Sequence, residues 1–162
     1  MNVSTVLEWV YNTGSSTAIR ESSVLFPMIE TIHVLTIALL VGTVAIVDLR
    51  LLGAVFRRVP VRGLADQVLP WTWTGFGVMA SSGLLLFWAQ PVKMYLNPAF
   101  RLKLLFLVLA GINPLIFHTT IYRTVDKWGK STLTPARARA AGAASLLLWT
   151  GIIVTGRAIA YF

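Results

Sequence analysis

The sequence predicts an all-α integral membrane protein, a four-helix up-down bundle behind a short N-terminal interfacial helix, forming one transmembrane domain over residues 1–162. Three observations predict it. The chain is 56% hydrophobic and 12% charged, about half the charged fraction of an ordinary soluble domain. Its apolar residues gather in four stretches, each near the ~20 residues that carry a helix across ~30 Å of hydrocarbon. Its 14 Lys and Arg, against 6 Asp and Glu, fall mainly between those stretches, where they orient spans rather than bind nucleic acid. Backbone groups in lipid have no water to bond, so the spans are helices.

Val3, Val6, Leu7 and Val10 share a helical face, and Trp9 and Tyr11 are interfacial types. Residues 3–11 therefore predict a helix lying on the membrane, with Thr5 and Glu8 at capping-box spacing. Gly14–Thr17 reads as a small polar break. The first span is expected at about 24–49, ending near Asp48 and Arg50. Residues 63–69 are too polar to cross, and Pro70 opens the second span, about 68–90, from a first-turn position. Trp71, Trp73 and Trp88 mark its two interfaces. Pro91–Pro98 forms a turn, where Asn97 caps and Pro98 begins the third span, about 98–123. Thr134 and Pro135 repeat that signal before the fourth, about 135–161. Ala136, Ala140, Ala144, Gly151 and Thr155 in that last span suit close helix contact.

Orientation follows from where the cations fall. Arg50, Arg57, Arg58 and Arg62 lie between the first two spans, and Arg123, Lys127, Lys130, Arg137 and Arg139 between the last two. This bias places both loops in the cytoplasm of a bacterial inner membrane and both termini in the periplasm. The first span is too long and too late for a cleaved signal peptide. With no cysteine, disulfides, thiolate metal sites and thiol nucleophiles are excluded. No nucleophile triad, P-loop or dinucleotide fingerprint is present, and no catalytic residue stands out.

Ionisable groups inside apolar spans are costly, which singles out Glu30, His33, His118 and Arg157. Arg101, Lys103, Asp48 and Arg50 sit nearer the interfaces, where snorkelling is expected. Glu30 and His33 share a helix face, and Glu30 matches Arg157 in depth within ~3 Å. An ion pair between them is expected, either structural or proton-exchanging. Arg101 and Lys103 enter from the same side as Arg157, so the outer half offers a cationic pocket for a haem propionate, a quinone oxygen or another anion.

The two histidines, on different helices, are candidate metal ligands, axial to haem b. Their depths differ by ~12 Å, which favours two sites over one haem clamped between them. His33 would lie near Arg101, Lys103 and Arg157. His118 would lie near Arg50 and Arg123, beside a bend at Pro114, with an interhelical hydrogen bond as its plainer role. Each site lacks a second ligand unless a homodimer supplies one.

The runs Ser16–Ser22, Glu30–Leu35, Asp48–Gly53, Leu69–Trp73, Asn97–Lys103, Phe117–His118 and Gly156–Phe162 resemble an uncharacterised family of small bacterial four-helix membrane proteins. The resemblance covers nearly the whole chain and implies its fold and placement, without an activity. At the level of fold the chain is also similar to copper-resistance D proteins and membrane b-type cytochromes, but it lacks the paired histidines at matching depths of those cytochromes.

The expected function is a redox-associated membrane module binding haem b and exchanging electrons with a quinone or a periplasmic partner, with Glu30 orienting groups or exchanging protons. One alternative is a non-catalytic accessory or assembly subunit of a larger membrane complex. Another is ion or copper handling, for which Met1, Met28, Met79 and Met94 are the remaining soft ligands.

Overall fold

The computed structural model describes residues 2–131 and 133–161, so that Met1 and Phe162 lie outside it. Among the described residues all regular structure is helical. The helices are α1 (Val3–Tyr11), α2 (Gly14–Glu21), α3 (Leu25–Leu52), α4 (Val61–Ala89), α5 (Pro91–Leu96), α6 (Pro98–Thr120), α7 (Val125–Trp128) and α8 (Ala136–Ala158), with 3-10 turns at Tyr122–Thr124 and Ile159–Tyr161.

Three segments, Leu25–Leu52, Pro98–Trp128 and Ala136–Tyr161, are long and apolar enough to cross a membrane. Four had been expected. The remaining long helix, α4, has length to spare, but Thr72, Thr74, Ser81, Ser82 and three glycines dilute its apolar part. Large apolar side chains such as Leu35, Val34, Leu84, Leu105, Leu115, Leu147 and Val154 are exposed along the long helices. Such surfaces are compatible with a lipid surround and costly in water.

Helix α3 packs on α4 and on α8, and α8 packs on α6; α4 and α6 lack a comparable backbone approach. One apolar cluster nevertheless draws on all four, through Leu40, Met79, Ala110, Trp149 and Ile152. A second, of Leu51, Val61, Phe117, Val125 and Ala138, seals the end where the arginine-rich loops lie, here called the basic end.

Local signals explain several boundaries. Gly53 adopts a left-handed φ of 73°, and its N–H and that of Ala54 donate to Arg50 O and Leu49 O, ending α3. The Asn97 side chain accepts from the Ala99 and Phe100 N–H groups at 2.9 and 3.1 Å, with Pro98 in the first turn of α6 as its spacing predicts.

Other expectations are corrected. The helix α1 starts at Val3 behind Asn2, which leaves Thr5 inside it rather than at a capping box. The expected break at Gly14–Thr17 begins α2, because Thr13 caps it and the buried Ser16 hydroxyl donates to Trp88 O at 2.9 Å, docking this turn on α4. Pro91–Leu96 is a short helix inside the expected turn. Residues 63–69 are helical and Pro70 lies in the interior of α4. Burial of Val61 and Leu64 holds the early turns of α4 in place, and Pro60 precedes them. Thr134 does not cap α8, since its hydroxyl accepts from Arg50 instead.

Candidate functional site

His33 lies on α3 and is 8% exposed. Its Nδ1 is 3.1 Å from Met79 O and 2.9 Å from Ser82 Oγ, both on α4. Ser82 in turn donates to Val78 O at 2.7 Å. A carbonyl oxygen only accepts, so this network assigns the proton to Nδ1 and leaves the lone pair on Nε2. Gly83 makes room for the ring: a Cβ there would stand 3.0 Å from His33 Cε1.

Lys103 reaches the same region from α6. Its Nζ lies where a Cβ on Gly156 of α8 would be only 3.5 Å away. Its side chain is half-buried. Among the described residues no carboxylate pairs with it, the ion pairs being Arg20 with Glu21 and Arg62 with Asp126. Among the described residues, an imidazole on α3 with a free lone pair and a half-buried lysine on α6 without a carboxylate partner thus lie inside the set of four long helices, the first against α4 and the second against α8. Such a donor set suits a metal-bound or anionic oxygen-bearing group.

The other predicted residues do not join it. Glu30 is exposed, and no ion pair links it to Arg157, whose guanidinium lies over the Tyr161 ring at 5.7 Å. Arg101 is exposed, donates to Tyr95 O at 2.8 Å and covers the Tyr95 ring. Both cations are held by aromatic residues at the helix ends, which the depth count could not reveal.

His118 is exposed near the end of α6, with its ring 4.7 Å from that of Tyr122. Fifteen residues of helix, about 22 Å, separate it along α6 from Lys103. His33 and His118 are therefore not brought together. Among the described residues no hydrogen bond between helices engages the His118 side chain, and Arg50, expected near it, turns to the loops. Among the described residues no three His, Asp or Glu side chains converge as metal ligands.

The sequence reading missed two features. Ser82, Gly83 and the Met79 carbonyl complete the His33 site; the small polar run Ser81–Gly83 inside an apolar helix was the available signal. Asp48 and Arg50 do not snorkel: they are 6% and 0% exposed.

The family model for a family of unknown function, DUF6644, matches residues 19–162. The chain belongs to this family. The matched region takes in all four long helices and the whole His33 site, and leaves out α1. No curated protein and no solved structure matches the chain.

Proposed function

We propose that this member of the family is a redox-associated membrane module whose centre is His33. In this reading α3, α4, α6 and α8 cross the bacterial inner membrane as an up-down four-helix bundle, the basic end is cytoplasmic, and both termini are periplasmic. The positive-inside bias of the loops supports that placement. The cofactor in this reading is haem b, which His33 would hold through Nε2 and whose propionate Lys103 would meet. Bound haem would supply one-electron chemistry, with a quinone or periplasmic partner as the exchange partner.

One observation carries the reading: the Nδ1 of His33 is engaged by a backbone carbonyl and a hydroxyl of α4, the second-shell arrangement that orients a ligating imidazole. The donor set fits an axial bond and a propionate contact. The cavities of about 180 Å³ at Gly53 and about 260 Å³ at Pro27 do not adjoin His33, so a porphyrin would have to enter between α4 and α6, which lack a close backbone approach. His118 is not the second ligand of the same haem. The visible spectrum of the purified protein, oxidised and reduced, tests this. A Soret band is expected in wild type and in His118→Ala and is lost in His33→Ala. No Soret band after expression with ample haem discards the cofactor.

A second reading, a non-catalytic subunit of a larger membrane complex, is favoured by the exposed aromatic surface of Trp71, Trp73 and Phe76 on α4. Solubilisation in mild detergent should then yield a stoichiometric partner, and a lone chromophore-bearing protein counts against it.

A further inference from the structure

The carboxyl of Asp48 presents a different problem from His33. It is buried in α3, at the α8 side near the basic end, and Oδ2 has no hydrogen-bond partner among the described residues. The backbone approach is close here: a Cβ on Gly142 of α8 would lie 3.0 Å from Asp48 O. The polar neighbour of the carboxyl is the Ser145 hydroxyl, one turn further along α8.

Among the described residues no cation pairs with the acid. Arg50, two residues on, is directed to Val59 O, Gly129 O, Ser131 O and the Thr134 hydroxyl. On α4, Arg62 pairs with Asp126 and, like Asp66, is exposed; on α8, Arg137 and Arg139 are exposed. Arg20 of α2 is held far away by Tyr11 O and Ala89 O. A carboxylate buried without a cation carries a large desolvation penalty, and a proton on the orphan oxygen removes the charge.

An open cavity lies one helical turn away. Asp48 stands four residues, about 6 Å of helix rise, before Leu52. Leu52 lines a cavity of about 180 Å³ together with Gly53, Arg57, Leu133, Thr134 and Arg139. A buried acid with an unpartnered oxygen, beside a hydroxyl and one turn from an open cavity, is built to exchange a proton rather than to fix a helix pair.

We infer that Asp48 is a proton-binding site, loaded and unloaded from the basic end through the cavity at Leu52 and Gly53, and independent of the His33 site. Each cycle takes one proton from water onto the carboxylate and returns it, with no bond to carbon made or broken. Infrared difference spectra of the whole protein in lipid, titrated from about pH 5 to about pH 9, test it. A protonated-carboxyl band is expected that converts to carboxylate within that range and is absent in Asp48→Asn. A band that never converts marks a permanently neutral structural acid and overturns the inference, as does its persistence in Asp48→Asn.

Should Asp48→Asn fail to fold, wild-type protein treated with an apolar carbodiimide decides by mass spectrometry, because that reagent attacks protonated carboxyls. Modification of Asp48 that falls as pH rises supports the site. Modification confined to the exposed Glu30, or independent of pH, overturns it.

Discussion

Arg50 has no exposed surface, and its guanidinium donates to Val59 O at 2.8 Å and Ser131 O at 3.2 Å, fastening the segments before α4 and after α7 to the end of α3. Charge-assisted hydrogen bonds to buried carbonyls are worth more than neutral ones, so Arg50→Met should destabilise the protein by about 3 kcal/mol. Arg50→Lys should recover little of that, since one ammonium cannot fork between two loops. Thermal unfolding in detergent measures both. At the His33 site, Gly83→Ala brings a methyl to 3.0 Å from the ring, whereas Gly77→Ala on the same helix meets nothing within 4 Å. The first should cost about 1–2 kcal/mol, less any gain in helix propensity, and disturb His33, while the second should be neutral or mildly stabilising. Equal melting temperatures for the two variants would remove the packing account of this glycine.

Among the elements, α6 is the one whose start the sequence announces most clearly. Asn97 accepts two N–H groups at the N-terminus of α6 and its Nδ2 donates to Ile159 O at 3.1 Å, joining the start of α6 to the end of α8. Asn97→Ala loses the cap and this tie, so a loss of about 1–2 kcal/mol is expected by thermal denaturation. Pro70 presents the opposite case. A proline at the start of an apolar run ordinarily opens a helix, yet α4 continues through it, because Val61 and Leu64 are buried and Val61 N donates to Gly129 O at 3.0 Å. Tertiary burial outweighs one missing backbone bond. Pro70→Ala restores that bond and should leave the circular dichroism unchanged while raising the melting temperature. A loss of helix in that variant would show that the proline shapes α4 rather than merely being tolerated.

On the scale of the whole molecule, the proposed topology puts the α3–α4 loop and the loop before α8 on one side of the membrane and α5 on the other. The chain has no cysteine, so single substitutions give clean reporters. Arg58→Cys and Lys130→Cys should react with an impermeant thiol reagent from the cytoplasmic face, and Lys93→Cys from the periplasmic face. Labelling of Arg58→Cys and Lys93→Cys from one face would remove the four-span arrangement and the orientation with it.

Composition and the clustering of apolar residues were enough to determine that this chain is helical, that it carries segments able to cross a membrane, and that Asn97 begins one of them, because these properties depend on solvent transfer and on local backbone chemistry. The site was only half legible. The sequence selects His33 as an ionisable group in an apolar setting and has Lys103 entering from the outer side, but depth along a helix says nothing of azimuth. The fold turned Arg101 and Arg157 onto Tyr95 and Tyr161, left Glu30 exposed, and buried Asp48 and Arg50 at the basic end. Which polar groups meet depends on how α3, α4, α6 and α8 rotate to interlock their side chains, a choice made by packing between segments distant in the chain.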